Sequence, residues 1–474
     1  MYSKVVEMPI VQDVRVLVPD DIQLVTPYVL YEQQDWFEDE IKFLREMLQP
    51  GQHVIDIGAN FGVYSLSLAK VVGPAGSVRA FEPTASTAAL LEASVSLNGF
   101  QHVQVSRTAL SNYSGTAQIA IASSPEMNAL LSANEVSNLP VETVRVETLD
   151  ALNAEGALNQ VSFMKIDAEG HEANILKGGQ AFFSIAAPLV MYEIIHSNGP
   201  RLDLVGMFSQ MGYESYRLIP GLNVLVPFSI DDPLPPFLLN LFACKAATAE
   251  RLASQGWLAT KSALGMAERE LNAPEVQQRF SQSIDWLEYL KPLPYAQFLQ
   301  ETWLKRVLDE SEANNASLNL AMCLFVLSEN TEQTAALRYL ALVKAGDVFK
   351  RLAEAQPDAL HLSSLARVQS SLGERLSAVA GLSRLYNKIH NEKHIDASIP
   401  FLGATECFSF RAVGSTFSNW LLSSIIDANE RLQRFSSFYA GQEALPWLKT
   451  LHAYGHADAE MVRRLNLLSQ KFEG

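Results

Sequence analysis

Cysteine is scarce in this chain. The 474 residues hold three, Cys244, Cys323 and Cys407, and no C-x-x-C pair. A sparse, odd set argues against a disulfide framework and fits small apolar roles in a reducing compartment. Basic residues are short as well: 36 Lys and Arg stand against 52 Asp and Glu, a formal net charge of −16. Without clustered Lys and Arg, nucleic acid is not an expected partner. Long apolar runs are also missing. The most apolar window, 181–195, contains Pro188 and Glu193 and is too short to span a bilayer. The opening MYSKVVEMP has no basic segment followed by an apolar one, so no signal peptide is expected and the default location is cytoplasmic. What is present is 48% apolar and 19% charged residues, a composition that builds packed cores. The length suits two or three domains at roughly 150 residues each.

The densest information lies in VIDIGANFGVY, Val54 to Tyr64. An apolar run reaches Asp56, Gly58 and Gly62 bracket a tight turn, and YSLSLA then reads as a helix. Strand, glycine loop and helix start let a ligand approach backbone N–H groups closely, with Ala59 and Asn60 supplying contacts. In a dinucleotide fold the recognised acid lies about 20 residues beyond the glycines. Here acids stand at both places: Asp56 before the loop, and Glu82 after the next apolar run, SVRAF. The first suits a cationic amine and the second accepts ribose hydroxyls. Amine plus ribose is the outline of S-adenosylmethionine, not of NAD. The plainer reading is a structural turn with Asp56 as a helix cap and Glu82 as a solvated strand-end acid.

A second strand end follows the same plan. VSFMKI, ending at Ile166, runs into DAEGHE, and ANILK then reads as a helix stopped by Gly178 and Gly179. Ligand-type residues again fall at the carboxyl end of a strand, where open α/β sheets bind ligands. Asp167, Glu169, His171 and Glu172 form a dense titratable cluster. A helix N-terminus favours acids through its dipole, but that does not account for His171. Glu193 and His196 follow the next apolar strand, LVMYEI.

Strands are expected at about 53–57, 77–81, 103–107, 161–166 and 189–194, with later strands near 213–218 and 239–245 as an antiparallel edge. Residues 13–30 alternate in a way that predicts strands or a hairpin before the main sheet, and 36–48 has helical spacing. Segments 115–121 and 142–147 read as an antiparallel pair. From about 246 the strand patterns vanish and Ala- and Leu-rich amphipathic stretches take over. Ala345, Phe349, Leu352 and Pro357 are spaced like the second helix of a tetratricopeptide unit, and Ala378, Leu382 and Leu385 recur about one repeat later. An ordinary helical bundle explains the same small residues.

The blocks VIDIGANFGVYSLSLA, RAFEPTASTAALLEASVSLNG, RTALSNYSG, VETLD and FMKIDAEGHEANILKGG occur in that order. Together they resemble the FkbM-type methyltransferases, over roughly residues 30–200. The resemblance implies a class I, Rossmann-like methyltransferase fold, S-adenosylmethionine as donor and usually a hydroxyl as acceptor. It sets Glu38, after Trp36 and Phe37, near the donor's amino acid portion, although a helix-start acid explains it too. Ala109 and Leu110 are expected beside the adenine, and serve equally as core. Thr84 departs from the family's more usual Asn. The last half of the chain is outside the resemblance.

Methyl transfer from a sulfonium is an in-line displacement, in which positioning supplies on the order of 7 kcal/mol or more. An alkyl hydroxyl also needs a base. His171 is the first candidate, then Asp167 and Glu172 beside it, then Glu193 and His196; Asp167 also borders the donor. Asp167, Glu169 and Glu193 offer an oxygen set for Mg²⁺, a minor reading that the resemblance does not require, so no resident metal is expected. The expectation is thus α/β in residues 1–245 and all-α in 246–474, where the helices recognise the acceptor, its carrier or a protein partner. The reaction expected is O-methylation of a sugar, glycan or secondary metabolite. Its rivals are a non-catalytic scaffold on a methyltransferase-like fold and an NAD-dependent oxidoreductase.

Overall fold

A computed structural model describes residues 4–131, 137–156, 158, 160–196, 199–309, 312–355, 359–392, 395–414 and 416–473. Pro357 lies outside the described residues, as does the side chain of His196. The chain divides into two compact units. One holds Met1–Leu218, Pro227–Leu234 and Leu238–Leu252; the other holds Ile219–Val226, Pro235–Phe237 and Ala253–Gly474.

The first unit opens with an antiparallel pair, β1 (Val5–Ile10) and β2 (Val14–Pro19). The alternation expected to continue to residue 30 does not: Val25–Gln33 is a helix. Pro27 sits in its first turn, where a missing N–H costs no helical bond, and Tyr28, Val29 and Leu30 are buried. The expected helix over 36–48 is observed as Asp39–Met47.

Then come the strands β3 (His53–Ile57), β4 (Ser77–Phe81) and β5 (Val103–Ser106), joined by helices Val63–Val72 and Ala85–Leu97. A smaller sheet follows, built from β6 (Thr108–Leu110), β7 (Gly115–Ala120), β8 (Ala129–Leu130) and β9 (Val141–Glu147). Within it β7 and β9 pair antiparallel, as their alternation predicts. The main sheet resumes with β10 (Val161–Ile166) and β11 (Leu189–Glu193). A short pair, β12 (Ile195–His196) and β13 (Gly199–Pro200), precedes β14 (Glu214–Ile219), β15 (Val224–Pro227) and β16 (Asn240–Cys244).

Across the first unit the strand order is β14-β16-β11-β10-β3-β4-β5. From β11 to β5 all pairings are parallel, while β16 runs antiparallel to β11 and to β14. The near-continuous apolar runs in β3, β10 and β11 are what a parallel sheet covered on both faces requires. Sequence order runs outward in one direction from β3 and in the other from β10. That adjacency is the topological switch point, and the crevice beyond its carboxyl ends is where such sheets take ligands.

The second unit is helical apart from β15 and its isolated bridge to Leu258. Consecutive helices Glu312–Glu329, Ala335–Ala355, Ala359–Ser371 and Arg375–Glu392 pack one on the next. Ala345, Phe349, Ala378, Leu382 and Leu385 all point into its core, with Trp286, Trp303 and Trp420 among its largest buried side chains. Asp427, fully buried on Phe417–Leu432, sits 3.1 Å from Arg431 and 3.6 Å from Arg411. Asp458 bridges the same two arginines at 2.6 and 2.7 Å, and Glu460 binds Arg431 and Arg464 at 2.6 and 2.9 Å. Among the described residues no helix is long and apolar enough to cross a membrane.

Candidate functional site

The loop after β3 is fixed by backbone geometry. Gly58 has φ +76°, and a Cβ there would lie 1.7 Å from the carbonyl oxygen of Asp167, just past the end of β10. Only glycine permits that approach. The amides of Gly58 and Ala59 both donate to the carbonyl of Phe81 at 3.0 Å, tying the loop to the end of β4. Gly62, with φ +86°, starts the next helix, and a Cβ there would meet Leu91 at 2.2 Å. Asn60 takes φ 50°, and its amide donates to Glu82 Oε2 at 3.0 Å.

Glu82 is buried at the end of β4. Its other oxygen accepts the Thr84 amide at 2.9 Å, and the Thr84 hydroxyl hydrogen-bonds the same carboxylate. With three donors on it, the carboxylate still has acceptor capacity for a ligand hydroxyl. Burial pushes the Glu82 carboxyl up to about 7, against the two amides, which favour its charged form.

Asp56 is fully buried. Its Oδ2 accepts from Ser65 at 2.6 Å, while Oδ1 accepts no hydrogen bond among the described residues and faces Lys165 Nζ at 3.9 Å. Burial raises its pKa, and Lys165 pulls the other way. Lys165 pairs with Asp56 in the β3–β10 register, donates to Asp167 Oδ2 at 2.7 Å and lies 5.1 Å from the Tyr64 ring centre. Burial opposes its charge, but Asp167 and Asp56 outweigh burial and hold its pKa above the ordinary lysine value.

Glu38 comes from a distant segment. Its Oε2 accepts from Tyr64 Oη at 2.5 Å and from Asn240 Nδ2 at 3.2 Å. Desolvation raises its pKa, with Tyr64 and Lys165 opposing. Glu38, Asp56, Lys165 and Asp167 thus form one electrostatic cluster in which carboxylates outnumber the ammonium. An excess of buried negative charge is suited to a cationic ligand.

On the opposite flank, Glu193 at the end of β11 is hydrogen-bonded to Asp167. Burial, then the charges of Asp167 and Glu169, push its carboxyl up to about 11. These causes favour its neutral form. One oxygen from each of Asp167, Glu169 and Glu193 lies within 4.8 Å of the others. His171 is more constrained. Ser111 Oγ lies 2.8 Å from its Nε2 and Asn174 Nδ2 lies 3.3 Å from its Nδ1, and burial lowers its pKa. Glu172 turns inward, its Oε1 accepting the amides of Ala168 and Gly170 at 2.9 and 3.2 Å. Ala109 packs with Ile119, Val144 and Val146, and Leu110 lies in the main core of the sheet.

The structure therefore brings Glu38, Asp56, Gly58, Ala59, Asn60, Gly62 and Glu82 around one loop, and Asp167 and Glu193 beside it. Sequence reasoning missed Lys165, Ser65, Tyr64 and Asn240. Lys165 carried a signal: two residues before Asp167, it shares a strand face with it. Asn240 carried none, being 202 residues from Glu38.

Comparison with curated proteins gives no match. Comparison with solved structures gives distant likenesses. One is a methyltransferase FkbM from Methylobacillus flagellatus, with 14% identity over 43% of this chain and a TM-score of 0.28; the match spans only 50% of that protein. Another is a SAM-dependent O-methyltransferase from Thermotoga maritima, at 14% identity over 49% of this chain and 73% of that one, with a TM-score of 0.25. A third is an O-methyltransferase from Bacillus cereus in complex with SAH, at 15% identity over 48% of this chain and 92% of that one, with a TM-score of 0.27. The family model of the methyltransferase FkbM domain matches residues 56–215, the stretch that runs from Asp56 through the main sheet into β14. What is shown for this chain is that match: residues 56–215 are similar to the methyltransferase FkbM domain, and the rest of the chain lies outside it.

Proposed function

We propose that the chain methylates a hydroxyl on a small-molecule or glycan acceptor, with S-adenosylmethionine as donor. The observation that carries this reading is the pair of buried acids on adjacent strands, Asp56 and Glu82, flanking a positive-φ loop, with one Asp56 oxygen left without a hydrogen bond. When bound, the donor supplies an electrophilic methyl on a sulfonium. Asp56 and Glu38 hold its cationic amino acid end, the Gly58–Gly62 loop offers backbone N–H groups, and Glu82 accepts from the ribose. Ala109 and Leu110 stand for the apolar wall by the adenine.

On the acceptor side the Asp167–Glu193 pair handles the proton. Glu193 donates to Asp167, and Lys165 holds Asp167 in place and ionised. An incoming hydroxyl can hydrogen-bond to that shared-proton pair and lose its own proton into it as attack proceeds. His171 and Glu172 shape the turn that presents Asp167. On this reading the three-carboxylate cluster shares a proton and holds no Mg²⁺, so EDTA leaves turnover unchanged. Turnover lost to EDTA and restored by Mg²⁺ would reassign the cluster as a metal site. Residues 246–474 are proposed to recognise the acceptor, its carrier or a protein partner.

Calorimetric titration with S-adenosylmethionine, run beside Asp56→Ala and beside NAD, tests the donor. One-site binding abolished by the substitution supports the proposal. Binding of NAD alone would revive the oxidoreductase, and binding of neither would leave a scaffold.

A further inference from the structure

The helical unit contains a recess whose chemistry the methyl-transfer reading does not use. It opens to solvent at its mouth. Tyr295, Leu402 and Gly403 belong to its lining, with Phe325 and Leu293 as apolar wall and Phe410 exposed at 63%. One cation lines it. Arg367 is only 8% exposed, and its guanidinium donates no hydrogen bond to any described residue. It lies 5.9 Å from the Phe325 ring centre, and the nearest carboxylate is Glu406 at 3.7 Å, on a side chain 73% exposed.

A buried guanidinium with five N–H donors and no hydrogen bond, beside only a loose contact to exposed Glu406 and the charge of buried Glu329, is expensive to keep. Its planar fork matches a carboxylate two bonds at a time. Apart from Glu406, Ser409 and Gly403 the rest of the wall is aromatic and aliphatic, so the carrier of that carboxylate is apolar and flat enough to lie along Phe325. A second negative charge would be repelled by Glu406 and by Glu329, whose pKa burial raises and Arg367 lowers. We propose that this recess binds a small planar monocarboxylate, its carboxylate on Arg367 and its ring or unsaturated chain against Phe325 and Leu293.

The test is titration of the full chain with benzoate, alongside benzylamine and inorganic phosphate as probes of opposite and doubled charge. Saturable one-site binding of benzoate, with neither of the others binding, is the expected result. Arg367→Gln should weaken benzoate by about tenfold or more, a loss of about 1.4 kcal/mol. Because that substitution touches a buried residue, Glu406→Gln is the companion: on an exposed side chain it removes the competing carboxylate and should tighten benzoate about two- to threefold. Absence of saturable benzoate binding, preference for phosphate or benzylamine, or an affinity unmoved by Glu406→Gln would each overturn the proposal. S-adenosylmethionine titrated into the same samples reads the first unit separately, so failure of one assignment leaves the other standing.

Discussion

The two units bury ionised groups in opposite ways. In the helical unit Arg411, Arg431 and Arg464 face Asp427, Asp458 and Glu460, and the charges close on one another. At the strand ends of the first unit a single ammonium, Lys165, faces Asp56 and Asp167 directly and acts on Glu38 from further away. The first arrangement is complete as it stands. The second keeps an excess of negative charge and an Asp56 oxygen without a hydrogen bond, a cost that folding alone does not repay. The contrast separates a network that holds a fold from one set up for a cationic ligand.

That contrast can be broken at several points. Removing Arg431 as Arg431→Met leaves Asp427 and Asp458 sharing Arg411 alone and Glu460 on Arg464 alone, and should destabilise the chain by about 3 kcal/mol in denaturant titration, with donor affinity retained. If donor affinity fell instead, the two networks would not be separable. Gly58→Ala should cost about 3 kcal/mol and remove donor binding as well. A Cβ there needs an unfavourable φ and collides with the Asp167 carbonyl, so a thermal melt and a calorimetric titration should both report it. Asp56→Ala should reverse the Arg431 pattern, weakening the donor at least about a hundredfold, or about 2.7 kcal/mol, while stability changes little or improves.

The pH dependence sharpens the same point. The Glu82 carboxyl titrates near 7 in the folded chain, against an ordinary value of 4.5. The folded state therefore holds the proton more tightly, and this group's stabilising contribution is complete below about 4.5 and lost as pH rises through 7. Ribose hydroxyls favour the ionised form, so donor affinity should climb with pH up to about 7 and then level off, by at most tenfold per pH unit. Glu82→Gln should flatten that climb. Ser65→Ala, which removes one hydrogen bond from Asp56, is the mildest change and should cost the donor only about 1 kcal/mol.

Much of the first unit could be read from the chain. Its strands betrayed themselves because β3, β10 and β11 are mostly apolar, and glycines at 58 and 62 announced a turn only they tolerate. Failures came where tertiary context overrode local pattern. Val25–Gln33 alternates weakly like a strand, yet it folds as a helix whose Tyr28, Val29 and Leu30 are buried. His171 looked like a free base because a histidine beside acids suggests one. Only the folded chain shows both of its ring nitrogens within hydrogen-bonding distance of Ser111 and Asn174.

By itself, then, the sequence determined the class of the sheet, where its strands fall along the chain and the glycine turn after β3. Those depend on periodicity and on residue types that a local backbone demands. Tertiary structure alone decided that Lys165 stands between Asp56 and Asp167, that Tyr64 and Asn240 converge on Glu38, and that Glu193 lies buried against the charges of Asp167 and Glu169. Such pairings join residues from separate strands and loops, and protonation follows from how deeply each group is buried and what charge lies beside it. Neither quantity exists until the chain has folded.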